Sequence, residues 1–242
     1  MEGICVAVVS GKGGTGKTSL TAGAGAALSR RGKRVLCLDC DIGLRNLDLA
    51  VGLSGRAFMD FTDVIEGRCS LEEALVEHPL LPGLFLLTAP AQRRPVEEEK
   101  MKDLLKTVRS RFDFCLLDAP AGLGPGFRLA VCGADQAVVI ATTDPASLRD
   151  AQHTVMELAD LETVRLVVNR VRRKLLRGFT IDDAMDQAGL PLLGLVPEDD
   201  ALPVALGREV SLLLSAPNSR AVAAYRNIAR RLLGESVPLL RF

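Results

Sequence analysis

The stretch Ser10-Gly-Lys-Gly-Gly-Thr-Gly-Lys-Thr-Ser19 restricts what this chain can fold into more than any other. An apolar run over residues 4–9 leads straight into it, and a helix-like stretch rich in Ala and Leu follows. Residues 11–18 satisfy the phosphate-loop pattern G-x-x-x-x-G-K-[ST]. A polyphosphate has to be wrapped by backbone N–H groups, so main chain must come close to it. Gly11, Gly13, Gly14 and Gly16 lack a Cβ and can take the positive φ values this needs. The following helix would aim its positive end at the same phosphates. Lys17 would reach the β- and γ-phosphates, and the Thr18 hydroxyl would ligate Mg²⁺. A glycine-rich turn that binds nothing is the competing reading, and the strand–loop–helix context argues against it.

At 242 residues, one domain over residues 1–242 is favoured, because the nucleotide motifs run from residue 11 to 199. Apolar residues make up 48% and aromatics only 4%, so the core should be sizeable and aliphatic. The formal net charge is zero, which argues neither for nor against nucleic acid. No apolar run reaches the roughly 18 residues of a membrane span. No signal peptide is visible, which predicts a cytoplasmic place. Cys5, Cys37 and Cys115 fall in predicted strands and Cys40 just past one, as buried thiols of a reducing compartment would. Cys37-Leu-Asp-Cys40 is formally C-x-x-C, and core packing is the preferred reading because no second pair lies nearby.

Apolar runs predict buried strands over 3–9, 34–38, 84–88, 112–117, 136–141, 164–168 and 192–196. Helices are predicted over 18–31, 58–66, 71–77, 96–108, 144–158, 181–188 and 218–233, with Gly32, Gly189 and Gly234 as stops. Seven strands alternating with helices predict an α/β fold: a doubly wound, mostly parallel sheet with helices on both faces. Two strand ends carry acids. The strand at 112–117 ends in Asp118-Ala-Pro-Ala-Gly122, which hangs a carboxylate where it would hold a water of the Mg²⁺ shell. The Gly122 N–H would bind the γ-phosphate, and Gly122-Leu-Gly-Pro-Gly126 would move when it leaves. The strand at 34–38 ends in Asp39-Cys-Asp41-Ile-Gly-Leu-Arg-Asn-Leu-Asp48. A carboxylate such as Asp41, at the carboxyl end of a parallel strand beside a phosphate loop, is well placed to act on a phosphoryl group.

The form K-G-G-x-G-K-T, the run from Asp39 to Asp48, and D-x-P-A-G at 118–122 together resemble the MinD family of the MinD/ParA ATPases, over residues 3 to about 235. The resemblance implies a deviant phosphate loop binding ATP or ADP with Mg²⁺, and an ATP-dependent homodimer in which Lys12 reaches the partner's nucleotide. Thr15 and Ser19 differ from the commonest family residues, with no harm to phosphate binding, and belong to the same nucleotide-binding stretch. It implies that Asp41 belongs to a first switch, positions the attacking water and stands with Thr18 and Asp118 at the metal. Asp39 would sit near the metal's outer shell, and Arg45, Asn46 and Asp48 at the dimer face. Asn169, beside Arg170, would read the adenine, since an amide offers both donor and acceptor. Pro197, Glu198 and Asp199 would contact the adenine mainly through backbone. The helix opening Ser147-Leu-Arg-Asp150 would line a groove for an activator or a division inhibitor, though a solvated first turn serves equally well.

The tail Glu235-Ser-Val-Pro-Leu-Leu-Arg-Phe242 departs from the family's amphipathic membrane helix, being short and broken by Pro238. This leaves three alternatives: a shortened chain, membrane contact through a partner, or none. Arg172-Arg-Lys-Leu-Leu-Arg177 is a basic run that could touch acidic lipid or DNA, with a solvated loop the plainer reading. The expectation is therefore an ATPase switch for division-site placement. Its rivals are a ParA-like or flagellar-number-type ATPase acting on DNA or other cargo, and a ligase that activates a small carboxylate.

Overall fold

The computed structural model describes residues 2–92, 94–172 and 180–240. The elements run β1 (Ile4–Val9), α1 (Lys17–Ser29), β2 (Val35–Asp39), α2 (Leu47–Val51), α3 (Phe61–Ile65), α4 (Leu71–Ala74), β3 (Val76–Glu77) and β4 (Leu84–Leu87). There follow α5 (Glu98–Arg109), β5 (Phe114–Asp118), α6 (Pro125–Val131), β6 (Gln136–Thr142), α7 (Pro145–Met156), β7 (Thr163–Val171) and α8 (Ile181–Ala188). The last are β8 (Leu192–Pro197), α9 (Ala201–Gly207), α10 (Leu212–Ser215) and α11 (Arg220–Leu232).

Among the described residues the strands form one eight-stranded sheet in the order β3-β4-β2-β5-β1-β6-β7-β8. All neighbours are parallel except β3, which closes one edge antiparallel to β4. The central strands are apolar on both faces because helices cover both. One core packs Met101, Leu105, Phe127, Leu148 and Ala184 of α5 to α8 against one face. The other packs Leu20, Leu47, Tyr225 and Ile228 of α1, α2 and α11 against the opposite face.

Helix α1 is buried along nearly its whole length, which explains its Gly and Ala content. A Cβ on Gly23 would collide with the ring of the fully buried Tyr225, and one on Gly25 would stand 2.5 Å from Cys37 Sγ. Small residues thus let α11 and the sheet approach α1 closely, and burying the Tyr225 ring contributes about 2 kcal/mol. Cys37 and Cys40 lie in opposite cores, so the C-x-x-C pair has its thiols on different faces of the sheet.

Two predicted helices are shorter than the sequence suggests. The one at 58–66 starts at Phe61, because the Asp60 side chain accepts from Thr62 N and Asp63 N in a capping box. The one at 71–77 ends at Ala74, after which Leu75 is extended and Val76–Glu77 pairs with β4. The short helices α2, α6, α9 and α10 were not anticipated. Each has seven residues or fewer, too few to establish a helical period in sequence.

Candidate nucleotide site

The topology brings three carboxyl strand ends together. β1 lies between β5 and β6, with β2 on the far side of β5, so the loops leaving β1, β2 and β5 share one rim of the sheet. The first of these loops is folded around Ser10. Its buried hydroxyl donates to the Lys12 carbonyl (2.7 Å) and accepts from Thr15 Oγ1 (2.9 Å) and Lys17 Nζ (2.8 Å). Lys17 Nζ also reaches the Lys12 carbonyl at 3.4 Å. Lys17 is therefore held beneath the loop, with burial lowering its pKa and the Asp118 and Asp41 charges opposing that shift. Gly14 and Gly16 have φ of 74° and 102°, so the loop needs glycine there for its backbone alone.

The rung Asp39↔Asp118 sets two acids side by side on the face of the sheet that α1 covers. Both are fully buried. Asp118 accepts from Thr21 Oγ1 at 3.2 Å and faces the Thr18 hydroxyl. Burial first, and then the Asp39 charge, push its pKa up to about 8. Asp39 is pushed up to about 6, again mainly by burial. Its carboxylate accepts from Asp41 N (2.8 Å) and Leu47 N (3.1 Å), which folds residues 40–47 back over the strand end. A hydroxyl and carboxylates, all hard oxygen donors beside a phosphate loop, suit a magnesium ion that keeps several of its waters. Thr18 and Asp118 face each other there, while Asp41 stands half-buried on the loop above, close enough for its charge to act on Lys17.

Lys12 is half exposed and turned away from Lys17, its Nζ 3.9 Å from Asp144 Oδ1 at the start of α7. The Asp118 strand end leads into Gly122 at φ 81°, where a Cβ would meet open space, and a Cβ on Gly13 would stand 3.6 Å from Ala121 of the same loop. Of the residues placed at a dimer face, Asn46 is exposed. Arg45, at φ 50°, donates to the Ala57 carbonyl (2.7 Å), and Asp48 is buried in α2. At the head of α7, Ser147 and Leu148 point inward and Arg149 outward.

The far end of the site is built differently. Asn169 is buried near the end of β7, and its Nδ2 donates to the Thr15 carbonyl at 2.7 Å. Arg170 follows at φ 54°. Glu198 is exposed and forms an ion pair with Arg172, while its backbone N donates to the Val171 carbonyl at 3.1 Å. The Asp199 carboxylate accepts from Ala201 N and Ala221 N, both at 3.0 Å, tying down the starts of α9 and α11. With the side chains of Glu198 and Asp199 so engaged, residues 197–199 offer a ligand chiefly main chain. Arg172 is the described member of the basic run; residues 173–177 lie outside the described residues.

Sequence reasoning missed Ser10 as the hub of the loop, Thr21 as a partner of Asp118, and Asp39 as the brace of the loop that carries Asp41. Thr21 had a readable signal, since it lies one helical turn beyond Lys17 on the same face of α1. A glycine loop between a buried parallel strand and a helix, with acids on a neighbouring rung, has the donors to hold nucleotide phosphates and suits a cation beside them. That makes the chain a phosphate-loop nucleotide-binding protein. It belongs to the CobQ/CobB/MinD/ParA nucleotide-binding domain family, whose model matches residues 6–212. The septum site-determining protein MinD of Bacillus subtilis is 41% identical over 98% of this chain and 91% of its own length. The Synechocystis MinD is 37% identical over 98% and 92%. Among solved structures, MinD in the MinC:MinD cell division complex of Aquifex aeolicus matches with a TM-score of 0.91 at 36% identity, over 99% of each chain. The Pyrococcus horikoshii MinD, solved with Mg-ADP, matches with a TM-score of 0.85 at 26% identity, over 95% of each.

Proposed function

We propose that this chain is a MinD-type ATPase: an ATP-dependent dimerisation switch that hydrolyses ATP to ADP and phosphate and helps place the division septum. The observation that carries this reading is the division between the two lysines. Lys17 is tied under its own loop by Ser10, whereas Lys12 faces outward, paired at 3.9 Å with an equally half-exposed Asp144. Such an ion pair is worth little and is readily exchanged for a phosphate. Lys12 is thus free to cross to a second subunit's nucleotide, while Lys17 serves the nucleotide of its own.

Within one subunit the loop N–H groups and Lys17 hold the phosphates, and Asn169 with the backbone of residues 197–199 holds the base. Thr18 would hold Mg²⁺ and Asp118 a water of its shell, and the ion would supply charge neutralisation at the phosphate oxygens. Asp41 orients the attacking water in line with the γ-phosphate, and Asp39 fixes the loop on which Asp41 rides. The Gly122 N–H binds the γ-phosphate, and its loop relaxes when phosphate departs. The MinC:MinD relative supports a division inhibitor as partner, and the dimer groove beside α7 is where this reading puts it. A cytoplasmic protein that visits the inner membrane face suits that role. Among the described residues no helix is long and apolar enough to cross a membrane.

Sedimentation velocity with ATP and with ADP, alongside phosphate release, tests the switch. Wild type should dimerise with ATP and revert as ATP is consumed. Asp41→Ala should stay dimeric with little turnover, and Lys12→Ala should bind ATP but remain monomeric. Phosphate release at a rate per subunit independent of protein concentration, with no dimer at any concentration, would overturn the reading.

A further inference from the structure

We infer that Asn169 is a positioning residue for the phosphate loop as well as a contact for the base. Its amide is a strut joining the base end of the site to the phosphate end. The inference rests on the nucleotide-site reading above and goes beyond it.

The strut is built from three cooperating features. The first is an irregularity in β7·β8 pairing between Val168 and Val171, next to the left-handed Arg170 at φ 54°. A non-glycine residue in that region is uncommon and costs energy, so packing must impose it. The second is the amide's bonding. Nδ2 donates to the Thr15 carbonyl at 2.7 Å, and Oδ1 accepts from Arg170 N at 2.9 Å. A carbonyl can only accept and an N–H can only donate, so these two partners fix the orientation of the amide and forbid its flipping. The third is Gly16, where a Cβ would collide with Asn169 Nδ2. The loop is therefore without a side chain where the amide enters, a requirement additional to the φ of 102° at that glycine.

An amide has two N–H groups and two acceptor sites on its oxygen. After both bonds, one N–H and one lone pair remain, enough to meet an adenine edge without releasing the loop. Thr15 is four residues before Ser19 and adjoins Gly16, the N-cap of α1, so the strut holds the loop where it turns into its helix. The contact links residues 154 apart in sequence and is buried, so it fixes the distance between the two ends before any nucleotide arrives.

The experiment compares ATP with inorganic tripolyphosphate, which has no base, each titrated with Mg²⁺ against wild type and Asn169→Ala by calorimetry. A residue that only reads adenine leaves tripolyphosphate affinity alone. A strut lowers it by about five- to tenfold, the size of one buried hydrogen bond, and lowers ATP affinity further. Asn169→Asp, nearly isosteric, sets an oxygen against the Thr15 carbonyl and should weaken tripolyphosphate at least as much. Amide hydrogen exchange on the same folded samples supplies a second measure. Exchange at residues 15–17 should quicken in both variants while that of Cys115–Leu117 in β5 stays protected. Unchanged tripolyphosphate affinity with weakened ATP binding, or unchanged exchange at residues 15–17, overturns the strut and leaves the nucleotide site standing. A wild-type protein that binds neither ligand overturns the nucleotide-site reading itself, and the strut with it.

Discussion

The two ends of the nucleotide site are made from different material. At the phosphate end, buried side chains do the holding: Lys17 bonds Ser10, Asp118 accepts from Thr21 of α1, and Asp39 accepts from the loop that follows it. At the proposed base end, the Asn169 amide apart, side chains do the building and main chain is what is left to present. Asp199 ties down two helix starts, Glu198 pairs with Arg172, and Arg170 contributes a backbone conformation. The lesson is that a residue can belong to a binding site through its position alone. Deleting its side chain then tests the scaffold, not the recognition.

Substitution can break this comparison. The largest effect is expected at Lys17→Ala, which removes a charge-assisted contact to phosphate and should cut ATP affinity by about 100-fold in equilibrium titration. An affinity within a few-fold of wild type would show that the loop backbone suffices. Next comes Asp39→Ala, which frees the N–H groups of Asp41 and Leu47. Turnover should fall by about tenfold while ATP affinity holds, because the loop bearing Asp41 loses its brace without touching the phosphate contacts. Asp199→Ala should do the opposite. It should cost about 1 kcal/mol of stability in denaturant unfolding, as a lost helix cap does, with ATP affinity nearly unchanged. If its affinity falls as far as that of Lys17→Ala, the two ends are not different in kind.

The smallest effect lies outside both ends. His78 is buried, and its Nδ1 accepts from Leu80 N and Leu81 N, both at 3.1 Å. Burial and the nearby Arg56 charge lower its pKa from the usual 6.5. A His held neutral in the fold stabilises fully above the unfolded value, and that stability is lost as pH falls below it. The His78 contribution therefore fades below pH 6.5, while the raised Asp39 and Asp118 act with the opposite sign, so the melting temperature of wild type relative to His78→Asn, which keeps an acceptor, should decline there.

The contrast between the ends also explains what the sequence made readable. Gly11 to Thr18, Asp118 and the parallel sheet were legible because their chemistry lies in residue types at fixed spacing, and buried parallel strands are continuously apolar. The left-handed Arg170 was not, since an arginine carries no sign that packing will force its φ positive. The extended Leu75 was hidden because Leu71-Glu-Glu-Ala74 favours helix and only pairing with β4 ends it. The family resemblance implies only that Asp39 lies near the metal's outer shell and is silent on what its carboxylate holds. Its partners turned out to be two backbone N–H groups, one of them eight residues away, a closure that no local pattern announces.

The shared rung of Asp39 and Asp118 has a consequence for how such a chain can vary. Side chains alternate faces along a strand, so inserting or deleting one residue within β2 or β5 would turn its acid to the opposite core. The two loops, by contrast, begin only after the rung and can lengthen without disturbing it. The sheet therefore works like the index mark on an instrument: it tolerates new attachments beyond the mark but no slippage behind it. Diversity of partners and timing is expected to accumulate beyond Leu47 and Gly122, past the braced residues, while the strands before Asp39 and Asp118 stay fixed in length.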